Sequence, residues 1–219
     1  MTPPESTEPR DDDAPRSSDA SHDRAAPHGG DAPRDRDTHK RVIGRQRVYE
    51  GRIWDVMRES VELAPDQRVE RDYVAHPGAV AIVAVDAKDR VVLVQQYRHP
   101  VRRELWEVPA GLLDVVGEDP LAAAQRELYE EADFYADQWE HLIDYYTTPG
   151  GSNEKLQVFL ARGLRRVPAA ERYARRDEEQ HMEIRRVAIA EVVEMILAGG
   201  LMNPSTIVGV LTYWQKYGR

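Results

Sequence analysis

Residues 110–134 read AGLLDVVGEDPLAAAQRELYEEADF, and the reading of this stretch decides the fold. Its first half is a loop carrying glycines and acids, and its second half has the spacing of a helix. Asp119 suits the N-cap, because a carboxylate there accepts from the unpaired N–H groups of the first turn. Pro120 then falls at the first helical position, where a missing N–H does no harm. Leu121, Ala124, Leu128 and Ala132 recur at three- and four-residue intervals and mark the inward face. Glu127, Glu130 and Glu131 stand at i, i+3 and i+4, which brings three carboxylates to one side of the helix. Glu118, just ahead of the helix, can add a fourth.

Such crowding is unfavourable by itself, at about 0.2–0.5 kcal/mol for each pair of like charges one turn apart. A bare ExxEE on a helix is most often a solvated face. Here Arg126 lies inside the cluster, and the glutamates follow a glycine loop instead of filling a long polar helix. Hard divalent cations take oxygen ligands, keep several waters and neutralise clusters of this kind. A metal site is therefore the physical account of why these charges are gathered.

The stretch resembles the Nudix box, in which a glycine is followed after five residues by Glu, and after seven more by Arg-Glu-aliphatic-x-Glu-Glu-x-Gly-aliphatic. Gly111, Glu118, Arg126, Glu127, Leu128, Glu130, Glu131 and Phe134 match in order. There are two departures. Six residues separate Gly111 from Glu118, and Asp133 replaces the last glycine. That glycine normally ends the helix in a left-handed conformation, which Asp tolerates less well than Gly. The resemblance implies Mg2+ or Mn2+ as cofactor. It assigns Glu127 and Glu131 as main ligands, with Glu130 and the Ala110 carbonyl assisting, and it counts Glu131 among the catalytic groups. Gly111 and Arg126 are implied as structural support.

Composition bounds the rest. The 219 residues can hold one well-buried domain and a tail. A net charge of −9 argues against nucleic acid as main partner. The absence of cysteine excludes disulfides, thiolate metal sites and cysteine nucleophiles. No apolar run approaches the ~20 residues of a membrane span, and the N-terminus lacks a signal pattern, so a cytoplasmic protein with no membrane partner is expected. Residues 1–40 hold no Val, Ile, Leu, Phe, Tyr or Trp and are expected to be a disordered tail.

Residues 41–77 read as antiparallel strands with turns at Glu50-Gly51 and Pro65-Asp66. Residues 79–85 and 91–95 are apolar runs joined by DAKD, the pattern of a hairpin over a core. Further strands are expected at 105–108, 141–147, 155–161 and 182–189, and helices at 190–198 and 204–217. No GxGxxG or GxxxxGK[ST] is present. The fold class is therefore α/β (α+β): an α/β/α sandwich with a mixed sheet over residues 78–219, preceded by the antiparallel strands. The Nudix fold implied by the resemblance agrees.

Outside the box, RDYVAHPGAVAIV, QQYRHP and LWEVPAGLLD are similar to segments of ADP-ribose pyrophosphatases, and the GLLDVxGE form is that of their actinobacterial members. Pro149, sixteen residues past Asp133, occupies the place of a proline that marks ADP-ribose hydrolases. The resemblance implies hydrolysis of ADP-ribose to AMP and ribose 5-phosphate by a homodimer with exchanged N-terminal strands. It implies a base from a late loop, here Glu178 with Glu179 next. Arg71 and Arg98 resemble residues that contact the diphosphate and ribose, or are surface arginines. Trp54 either stacks on adenine or packs in the core. Glu107 contacts the adenine side or braces the loop. Another nucleoside diphosphate sugar or a dinucleotide is the alternative substrate. A binding module that does not cut ranks lower, because the box glutamates are intact.

Overall fold

The computed structural model of the protein describes residues 33–175 and 182–218. Two units separate between His39 and Lys40, and residues 33–39 of the first are exposed and carry no regular secondary structure. The second unit opens with an antiparallel meander of β1 (Arg41–Tyr49), β2 (Asp55–Ala64) and β3 (Gln67–Ala75). The turn at Pro65-Asp66 forms as expected, with Asp66 left-handed at φ 65°.

The chain continues through β4 (Ala79–Ala84), β5 (Arg90–Arg98), β6 (Arg103–Glu107), β7 (Ala110–Leu112), α1 (Pro120–Ala132), β8 (Phe134–Tyr146), β9 (Lys155–Arg166), β10 (Ile184–Ala188), α2 (Ile189–Leu197) and α3 (Pro204–Tyr217). Strands β7-β4-β9-β8 make a mixed sheet in which only the β4–β9 pairing is parallel. Strands β10-β5-β6 make an antiparallel one. Alternation along a strand explains why the apolar runs are continuous. Ala79, Ala81 and Val83 face a core closed by Val192, Ile196 and Val210 of α2 and α3. Val80, Ile82 and Ala84 face a second core closed by Ala124, Leu128 and Ala132 of α1. Helices on both sides of a mixed sheet are the sandwich read from the sequence.

The expected hairpin of 79–85 with 91–95 does not form. The turn is present, with Asp89 N–H donating to the Asp86 carbonyl at 3.0 Å, but the two strands meet only at a Val85–Val91 bridge. Beyond it β4 pairs with β7 and β9, while β5 pairs with β10 and β6. Apolar runs specify buried faces and leave open which edges will join. Other boundaries shift as well, the strand expected at 155–161 running on to Arg166. Ala110–Leu112, expected as loop, adds an edge strand to β4. The strand expected at 141–147 begins at Phe134, because Asp133 turns left-handed (φ 57°, ψ 41°) and launches β8 straight from the end of α1. Polar residues at 137, 138 and 140 hide that strand in the sequence.

Further hydrogen bonds position the site. Val74 N–H donates to the Gly151 carbonyl at 2.9 Å and His76 N–H to Asn153 Oδ1 at 2.7 Å, so the loop after Pro149 is stitched to the end of β3. Asn203 caps α3 through its side chain, 2.9 Å from Thr206 N. The fully buried Thr206 hydroxyl in turn accepts from Val108 N–H at 2.9 Å and steadies the approach to Ala110. Among the described residues no helix is long and apolar enough to cross a membrane. Replacing Thr206 by Val keeps the shape and strands a buried N–H. Urea unfolding is expected to show a loss of about 1–3 kcal/mol with an unchanged m-value.

Candidate active site

Helix α1 begins as its sequence dictates: Asp119 Oδ1 accepts from Leu121 N–H at 2.9 Å and Ala122 N–H at 3.3 Å, with Pro120 at the first position. Nearly two turns in, the Arg126 guanidinium gathers the acids. It gives two hydrogen bonds to Glu118, at 3.0 and 2.9 Å, and ion-pairs with Glu127 at 2.5 Å and Glu130 at 3.4 Å. The hydrogen bond to Glu118 raises the Arg126 pKa above its ordinary value, and the same bond holds the Glu118 carboxyl below the usual range. The residue added between Gly111 and Glu118 is absorbed in an exposed turn, where Val116 is fully exposed and Gly117 adopts φ 82°. It does not detach Glu118 from the helix.

Glu127 and Glu131 are buried, at 9% and 4% exposure. Glu131 accepts from Ala110 N–H at 2.9 Å and from Gln96 Nε2 at 3.2 Å. Glu127 lies so close to the loop that a Cβ on residue 111 would overlap its carboxyl group. A side chain at 111 would push that carboxylate aside, and the two acids flank the Ala110–Gly111 backbone. Ala110, expected to offer its carbonyl, is here seen donating its N–H.

One guanidinium cannot neutralise the three carboxylates it holds, and an all-oxygen donor set beside a backbone edge suits a hard divalent cation that keeps part of its water. Among the described residues no group of three or more His, Cys, Asp or Glu side chains is arranged to hold a metal ion.

Arg98 grips both oxygens of Glu107 at 2.8 and 2.6 Å, and Glu107 is 2% exposed. Glu107 therefore sits buried beneath the Arg98 guanidinium at the end of β6. Trp54 is 43% exposed on this chain, in the connection between β1 and β2. Arg71 is exposed on β3 and donates to the Glu70 carbonyl. Among the described residues no hydrogen bond or ion pair joins Trp54 or Arg71 to the box. Glu178 and Glu179 lie outside the described residues. Two residues escaped the sequence reading, Gln96 and Thr206. Gln96 alternates with Arg98 along β5, so the period of two that points Arg98 at Glu107 also points Gln96 at Glu131. Nothing local marks Thr206, whose partner is 98 residues away.

Residues 75–202 match the model of the NUDIX domain. The ADP-ribose pyrophosphatase of Mycobacterium tuberculosis is 43% identical over 169 residues, 77% of this chain and 80% of that protein. The methanol dehydrogenase activator of Bacillus methanolicus is 33% identical over 171 residues, 78% of this chain and 90% of that one. A crystal structure described as an ADP compounds hydrolase superposes with a TM-score of 0.69 over 84% of this chain and 100% of its own, at 20% identity, a likeness of fold. The matched span contains the sheet, the helix and every carboxylate just described, and the chain belongs to the Nudix family.

Proposed function

We propose that the protein hydrolyses the pyrophosphate bond of ADP-ribose, giving AMP and ribose 5-phosphate, with Mg2+ or Mn2+. The observation that carries the proposal is the pair of buried carboxylates, Glu127 and Glu131, pressed against the Ala110–Gly111 backbone under the grip of Arg126. Nudix hydrolases in general use divalent metals. A divalent ion supplies Lewis acidity toward phosphoryl oxygens and lowers the pKa of water. Here Glu127 and Glu131 would hold it, with Glu130 and the Ala110 carbonyl assisting. ADP-ribose is favoured over other nucleoside diphosphates by the 43% identity to a pyrophosphatase named for that substrate.

The protein's own part is to position and to accept protons. Arg126 fixes the azimuth of Glu127. Gln96 and the Ala110 N–H fix Glu131. Arg71 presents a planar fork that matches diphosphate oxygens, and Arg98, whose Nε and Nη2 edge is held by Glu107, would meet the substrate through its Nη1 edge. Glu178, with Glu179 next, takes the proton of the attacking water. Trp54 offers a face for adenine. The strands of residues 41–77 join two copies, since Val42, Ile43, Val48 and Tyr49 on β1 and Ile53 beyond it leave apolar surface exposed on this chain. The cytoplasm is the proposed location.

Replacing Glu127 and Glu131 together by Gln removes both charges at nearly constant shape. Turnover should fall by roughly 1,000-fold, as expected for several kcal/mol of lost charge stabilisation, with an unchanged circular-dichroism spectrum. Gly111→Ala, which pushes the Glu127 carboxyl aside, should lower kcat by roughly 100-fold. Phosphate-release assays on a substrate panel with metal present should rank ADP-ribose above sugar nucleotides and dinucleotides. Equal turnover of GDP-mannose and ADP-ribose would refute the specificity.

A further inference from the structure

The last residue of α1 is where this chain departs from the box pattern, and the departure is built into a clamp. Asp133 carries a negative charge at the helix C-terminus, the end where the helix dipole already disfavours one, and α1 has no basic residue in its last turn. The compensation comes from far along the chain. Arg175 Nη2 stands 2.9 Å from Asp133 Oδ1, and Arg172 Nε stands 3.9 Å from Oδ2. Arg175 also donates from Nε to the Glu130 carbonyl at 2.9 Å, satisfying one of the carbonyls a helix end leaves open. Tyr129 donates its hydroxyl to the Glu171 carbonyl at 2.7 Å, and Val167 N–H donates to the Asp133 carbonyl at 2.9 Å. Asp133 Oδ1 and Arg175 Nη2 are shielded from solvent, and neither has a well-aligned hydrogen bond among the described residues. Each is thus the other's electrostatic compensation, and removing either strands a buried charge.

We infer that Asp133 and Arg175 form a positioning clamp that fixes the last turn of α1, and with it the Glu130 and Glu131 carboxylates, for cation binding. The inference rests on the reading of those glutamates as metal-holding groups. One guanidinium spans the side chain after the helix and the backbone of Glu130, so the turn carrying two box acids cannot fray without breaking both contacts. A glycine at 133 would satisfy the left-handed backbone more easily and would lose the clamp.

Asp133→Gly therefore restores the box pattern and should impair the site. Calorimetric titration with Mn2+ should show affinity about tenfold or more weaker in Asp133→Gly and in Arg175→Ala. The double variant should be no weaker than the worse single. Amide hydrogen exchange at residues 130–133 should speed up in both, and Asp137→Ala, which breaks the exposed pair with Arg165, should leave affinity at the parental value. Parental Mn2+ affinity in either single variant, or losses that multiply in the double, would overturn the clamp. So would a parental protein that binds no Mn2+. A parental protein that binds Mn2+ without cleaving ADP-ribose would refute the activity alone, and affinity and exchange would still decide the clamp.

Discussion

Carboxylates buried beside a backbone edge are the constraint on which the rest of this molecule turns. An ionised acid removed from water costs several kcal/mol unless its oxygens find donors or opposite charge. Glu131 meets this demand with a loop N–H and the Gln96 amide, and Glu127 with the Arg126 guanidinium. These contacts dictate the surroundings. The loop must lack a side chain at 111, β7 must run beside α1, and β5 must present its polar face to the same place. The apolar sheet behind provides a rigid wall against which such unfavourable charge can be held.

Much of this was legible in the sequence because it is local. The N-cap at Asp119, the proline after it, the three-to-four spacing of Leu121, Ala124 and Leu128 and the i, i+3, i+4 acids all lie within a few turns of chain, where backbone geometry fixes neighbours. That 79–85 is buried was equally readable from its unbroken apolar run. Strand partners were not. Val85 and Val91 begin as a hairpin would, yet their strands separate into different sheets, because each takes a partner from far along the chain, β9 for β4 and β10 for β5. Thr206 and Gln96 were missed for the same reason, since their partners become neighbours only after the sandwich closes.

Asp133 shows that a departure from a family pattern need not be a defect. Read alone, it weakens a helix end. Read with Arg175, 42 positions later in the chain, it exchanges conformational ease for a buried electrostatic contact. A sequence motif records the residues that many folds share. It says little about the pairs by which one chain replaces a shared residue with something of equal use.

The N-terminal meander is held on different terms from the sandwich. Arg41–Glu62, Arg45–Glu59 and Arg47–Asp55 pair across β1 and β2, and Arg58–Asp72 across β2 and β3, all with substantially exposed guanidinium groups. Such pairs are weakened by mobile ions, whereas an apolar interior is strengthened by sulfate-type salts. The two parts of the molecule consequently answer to concentrated sulfate in opposite senses, the ribbon loosening while the interior tightens.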